Sequence, residues 1–166
     1  MTGRAWVFGD NIDTDVLAPG RFMKLPPADL ARHCLNAVDP DFAAGVAAGD
    51  VIVAGTCFGI GSSREQAAVS LKLLGVQAVL AKSFARIFYR NALNLGLICL
   101  NFPQADEVRP GDQITLDPLA GTIVNETQAR AYQVAPVPAH LLEMIQAGGL
   151  VAHLKARFAN HLGEVE

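Results

Sequence analysis

Three short apolar runs constrain the fold most: Val51-Ile52-Val53-Ala54, Ala78-Val79-Leu80-Ala81 and Leu97-Ile98-Cys99-Leu100. Unbroken apolarity over so few residues suits strands buried on both faces of a sheet. Between the first two runs, residues 66–74 read as a helix stopped by Gly75. Between the second and third, Phe84, Ile87, Phe88 and Leu95 keep helical spacing behind Ser83, which is expected to cap that helix. A strand–helix–strand–helix–strand series requires parallel pairing through crossover helices. The chain is therefore expected to be α/β.

Elsewhere the punctuation is clear. Residues 5–8 form a strand that runs into Gly9-Asp10-Asn11-Ile12-Asp13-Thr14-Asp15, a loop dense in turn formers. Pro19-Gly20 marks a turn, and Pro26-Pro27 precedes a helix over 28–36. Beyond Asp106 the pattern changes to short strands at 113–116, 121–124 and 131–134. A closing helix over 139–158 is interrupted at Gly148-Gly149. One unit spanning 1–166 is expected, its mixed or parallel sheet flanked by helices.

Apolar residues make up 51% of the chain and charged residues only 17%, enough for a real core. That composition also leaves apolar surface, part of which another chain is expected to cover. A net charge of −3 gives no general attraction to nucleic acid or anionic membrane, so any anion site must be local. The N-terminus lacks the apolar core of a signal peptide, and no 18-residue apolar run exists; a soluble, cytoplasmic protein is expected. Cys34, Cys57 and Cys99 fit neither a disulfide framework nor a metal knuckle and read as reduced, mostly buried thiols. His33, His140, His153 and His161 have no ligand spacing.

The run with chemistry in it is Gly59-Ile60-Gly61-Ser62-Ser63-Arg64-Glu65, between the first apolar strand and the helix after it. Its glycines let backbone approach a ligand, and its hydroxyls and guanidinium suit a carboxylate. Arg64 stands where a dinucleotide fingerprint needs glycine, and no Gly-Lys-Ser/Thr is present, which argues against nucleotides. Ser62 pairs with Glu65, and Ser63 with Gln66, in capping-box spacing. Only one serine can cap, leaving the other hydroxyl free beside Arg64. Asp10, Asp13 and Asp15 lack the glycine and distal glutamate of a calcium loop and read as Asx-turn residues. Lys82, Arg86 and Arg90, spaced i, i+4 and i+8, form a basic stripe, either a solvated face or an anion- or partner-facing one.

Taken together, Gly61-Ser62-Ser63-Arg64-Glu65 and Lys82-Ser83-Phe84-Ala85-Arg86-Ile87 resemble the C-terminal swivelling domain of the aconitase superfamily. As a short chain that also carries Gly9-Asp10-Asn11-Ile12-Asp13-Thr14-Asp15, it is most similar to the small subunits of isopropylmalate isomerases (3-isopropylmalate dehydratases) and related homoaconitases. The resemblance implies a β/β/α swivelling domain that closes over a large subunit bearing a [4Fe–4S] cluster, this chain binding no cofactor itself. It implies a hydro-lyase of leucine biosynthesis, active only with that subunit, which interconverts 2- and 3-isopropylmalate by dehydration and rehydration.

By the same resemblance Ser62 is the base, acting as an alkoxide, with Ser63 left as the helix cap. Arg64 is the carboxylate clamp, Gly61 and Ser63 border the substrate, and Asp15 positions the site. Residues 19–25 align with the family's specificity loop. Phe22, Met23 and Lys24 stand there in place of the frequent Tyr-Leu-Arg-Thr pattern, offering apolar wall and a positive charge. That departure keeps other diacids open: homoaconitate, citraconate and dimethylmaleate types. So does a non-catalytic carboxylate-binding module of the same fold.

Overall fold

The computed structural model describes the backbone of residues 1–163 and the side chains of residues 1–159. The side chain of His161 and the last three positions of the expected 1–166 unit lie outside it. Seven strands form one sheet: β1 (Thr2–Val7), β2 (Val51–Ala54), β3 (Ala78–Ala81), β4 (Ile98–Asn101), β5 (Gln113–Asp117), β6 (Thr122–Asn125) and β7 (Arg130–Gln133). Their order is β4-β3-β2-β1-β5-β6-β7. The first four strands pair in parallel. β5 joins β1 antiparallel, and β6 and β7 follow as a meander. The sheet is mixed, and the α/β expectation is met.

The helices are α1 (Thr14–Leu17), α2 (Pro27–Ala31), α3 (Phe42–Gly45), α4 (Gln66–Leu73), α5 (Arg86–Asn94), α6 (Ala139–Gln146) and α7 (Leu150–Gly163). Strand periodicity sorts side chains between two cores. Ile52, Ala54, Val79, Ala81 and Cys99 face the crossover helices, packing with Leu17, Leu30, Ala67, Leu71, Phe88 and Ala92. Val51, Val53, Ala78, Leu80, Ile98 and Leu100 face the other way, toward Phe102, Ile114, Ile123, Met144 and Ile145. Burial on both faces is why these strands lack alternation.

Two helix limits differ from the sequence expectation, and one expected break is present. The helix over 28–36 is only one turn and a half: α2 stops at Ala31, and Leu35 takes a left-handed φ of 60° while its N–H donates to Val16 O. The closing helix is interrupted where expected: Gly148 and Gly149 both adopt positive φ (93° and 115°) and separate α6 from α7. Ser83 does not cap α5, whose N-cap is Ala85; the Ser83 hydroxyl instead accepts the Cys57 N–H at 2.9 Å. Among the described residues no helix is long and apolar enough to cross a membrane.

Candidate active site

The carboxyl ends of β1, β2 and β3 open into three loops, 8–13, 55–65 and 82–85, where ligands commonly bind in open α/β sheets. Main-chain hydrogen bonds lace these loops together. Asn11 N donates to Thr56 O and Gly59 N to Ile12 O; Phe58 N donates to Ser83 O, and Ala85 N returns to Phe58 O. The backbone at Asp13 pairs with Ile60, and that at Phe58 with Phe84. Asp10 accepts the Thr56 N–H at 2.6 Å, which holds its carboxyl below the usual carboxylate range. Asp13 caps α1 by accepting Val16 N–H at 2.8 Å. Both are thus turn and capping residues.

Capping α1 brings Thr14 against the glycine–serine run. Thr14 N donates to Ile60 O, and Thr14 is only 3% exposed. Its Oγ1 accepts Ser62 N–H at 3.0 Å and lies 3.1 Å from Ser62 Oγ. Close approach here depends on Gly61, at φ 115°: an added Cβ would stand 3.0 Å from Thr14 Oγ1. A hydroxyl has one proton and two lone pairs. With one lone pair on Ser62 N–H, the Thr14 proton is free to donate to Ser62 Oγ.

Neither serine caps α4. Its N-cap is Glu65, with no side-chain bond, so the expected Ser63 cap is replaced by a short loop and Ser63 is simply exposed. Ser62 is therefore oriented by Thr14, not by a helix start.

Arg64 turns toward α1. Its Nη1 donates to Asp15 Oδ1 at 2.7 Å and to Ala18 O at 3.0 Å, while Gly20 N donates to the same Asp15 oxygen at 2.9 Å. The Arg64 hydrogen bond, then that from Gly20, holds the Asp15 carboxyl below its ordinary range. The Asp15 side chain is 66% exposed and that of Arg64 28%, so the pair sits at the surface. Asp15 and Arg64, read separately from the sequence, are in direct contact.

Ser62 opens into a cleft of about 640 Å³. Gly59, Ile60, Gly61 and Ser62 form one wall; Ala85, Arg86, Ile87 and Arg90 form the other. A neighbouring hollow of about 470 Å³ is lined by Asp15, Gly20, Arg21, Phe22 and His33, among others. There Phe22 stacks on His33 with ring centroids 3.7 Å apart. Met23 packs against the helix-side core, and Lys24 is exposed; neither lines the cleft or the hollow.

The basic stripe is also broken. α5 begins at Arg86, so Lys82 lies off the helix and pairs with Asp106, which raises its pKa. Arg86 and Arg90 remain one turn apart, in the cleft.

Thr14, in contact with Ser62, is the residue of this loop that sequence reading did not single out. Its local signal, a threonine between two aspartates, does not show that it meets Ser62 across 48 positions. The residues present do not fit an iron–sulfur cluster. Cys34 and Cys99 are buried, with thiols pushed up by burial, and Cys57 is half-buried in the loop after β2. Among the described residues no group of three or more His, Cys, Asp or Glu is placed to hold a metal ion.

Comparison with known proteins is consistent with this geometry. Residues 40–105 match the family model of the aconitase C-terminal domain. The chain is 48% identical over 158 residues to the 3-isopropylmalate dehydratase small subunit of Wolinella succinogenes, covering 95% of each. It is 48% identical over 157 residues to small subunit 1 of Thermotoga maritima, covering 93% of this chain and 95% of that one. The crystal structure of 3-isopropylmalate dehydratase from Methanocaldococcus jannaschii superposes with a TM-score of 0.92 at 43% identity, over 98% of both chains.

Proposed function

We propose, from the premise that this chain belongs to the family of 3-isopropylmalate dehydratase small subunits, that it works in leucine biosynthesis as the cleft-bearing half of the hydro-lyase interconverting 2- and 3-isopropylmalate. The small-subunit relatives carry the further expectation of a large-subunit partner in the cytoplasm. The [4Fe–4S] cluster belongs to that partner in this reading, because the cysteines here are buried or scattered. When bound, the cluster supplies Lewis-acid polarisation of the substrate.

The observation that carries the reading is the Ser62–Thr14 hydroxyl pair at 3.1 Å, at the mouth of a cleft with no acid in its lining. Dehydration requires a proton to leave the carbon next to a carboxylate, and a base within hydrogen-bond reach must receive it. Ser62 Oγ is that base. As an alkoxide it accepts the Thr14 O–H; once it has taken the substrate proton it becomes a neutral hydroxyl, and the same contacts hold it for the reverse transfer. Asp15 fixes the Arg64 guanidinium through Nη1, leaving Nη2 of its fork for a substrate carboxylate. Gly61 gives backbone access, and Ser63 borders the exposed rim. Of the specificity segment, Phe22 offers apolar surface in the hollow beside Asp15. Met23 and Lys24 contribute only if closure of the partner brings substrate to them.

The decisive experiment is reconstitution with the large subunit and assay of isopropylmalate interconversion. Wild type is active only in the complex, and Ser62→Ala loses turnover while still assembling. Near-normal turnover in that variant removes the base assignment. The same assay, run with citraconate, maleate and homocitrate, tests whether Phe22-Met23-Lys24 has shifted the substrate.

A further inference from the structure

We propose that Arg86 and Arg90 form a second carboxylate grip, facing Ser62 across the cleft, that binds the dicarboxylate substrate independently of Arg64. This rests on the reading of Ser62 as the base and deepens it. The eight residues that line the cleft are Gly59, Ile60, Gly61, Ser62, Ala85, Arg86, Ile87 and Arg90. Two are cations, none is an acid, and Arg64 is not among them. The expected clamp thus points to Asp15 and Ala18 O, while the charge in the Ser62 cleft comes from α5.

Arg86 and Arg90 stand at i and i+4 on α5, so their side chains share one face. Like charges so placed repel, a cost that an anion between them removes. Among the described residues neither makes an ion pair or a side-chain hydrogen bond, in contrast to Arg4, Arg64, Lys82 and Arg130, each of which meets a carboxylate. A diacid needs two cationic contacts. Arg64, from the loop before α4, and the pair on helix α5 supply them, and planar guanidinium forks suit bidentate binding. Ile60 and Ile87, both exposed, put apolar surface on each wall beside the charges. An acid carrying an alkyl arm matches that combination.

The test uses the reconstituted two-subunit enzyme with 3-isopropylmalate. Arg86→Gln and Arg90→Gln should each raise KM about tenfold, and the double variant roughly a hundredfold, with kcat changed less than about threefold. Arg86→Lys should recover part of the loss. A second readout needs no turnover. Equilibrium dialysis of 3-isopropylmalate against the Ser62→Ala complex, with and without the two Gln substitutions, should show the same loss of affinity. Unchanged KM and affinity overturn the grip. Failure of the double variant to co-purify with the large subunit also overturns it, giving these arginines to the subunit interface. If Ser62→Ala stays active, the base reading fails, and the dialysis comparison still decides the grip.

Discussion

Two regions of the sheet, the turn at Asp112 before β5 and the loops around Ser62, handle charge in opposite ways. In the antiparallel half, Asp112 is 4% exposed, and its Oδ2 receives Arg109 N–H, Asn125 Nδ2 and Gln128 Nε2 at 2.9, 2.7 and 2.6 Å. Burial alone would raise this carboxyl, but those hydrogen bonds outweigh it and hold it below the ordinary range. In the parallel half, Asp15 meets Arg64 at the surface, and among the described residues Arg86 and Arg90 pair with no acid. A charge closed off by its own chain tightens a fold. A charge left open beside a cleft is available to a ligand.

The contrast breaks most sharply at Ser62. Ser62→Ala should lower kcat by roughly 10²- to 10⁴-fold in the reconstituted enzyme and leave the melting temperature of the isolated chain almost unchanged. A stability loss like that of a core residue would remove the division between the two regions. Next in size is Asp112→Ala, which strands the Asn125 and Gln128 donors. It should cost about 3 kcal/mol in urea unfolding, with turnover of the surviving folded protein near wild type.

Thr14→Val keeps the shape but removes the hydroxyl, and should reduce kcat roughly tenfold to a hundredfold with little change in KM. Thr14→Ser should restore most of it; a purely packing role would not be rescued by losing the methyl group. The smallest effect is in acid. Because folded Asp112 titrates below its unfolded value, its contribution is full above about pH 4 and is lost as pH falls through the folded pKa. The fall in melting temperature between about pH 4 and pH 2 should therefore be shallower in Asp112→Asn than in wild type. An equal slope would assign the acid sensitivity to other carboxylates.

Much of the parallel half is legible from sequence, because burial on both faces writes unbroken apolar runs at β2, β3 and β4. The glycine–serine–arginine loop is legible too, since its residue types have few structural uses together. What is not legible is direction. Ser63 and Gln66 have the spacing of a capping box, yet α4 starts beyond it. Lys82 has helical spacing with Arg86, yet Ala85 takes extended backbone and puts Lys82 off the helix. Which way Arg64 turns depends on Asp15, and what orients Ser62 depends on Thr14. Both are long-range contacts that no local pattern records.

The lacing of the three loops runs through main-chain atoms at Asn11, Phe58, Gly59 and Ala85, reinforced by the side chains of Asp10 and Ser83, which lie outside the cleft lining. Side chains on the cleft walls hang from a frame they do not build. Ile60 and Ile87 can thus be exchanged for larger or smaller apolar residues without moving Ser62. Such a frame separates what shapes the cleft walls from what holds the Ser62 hydroxyl in place.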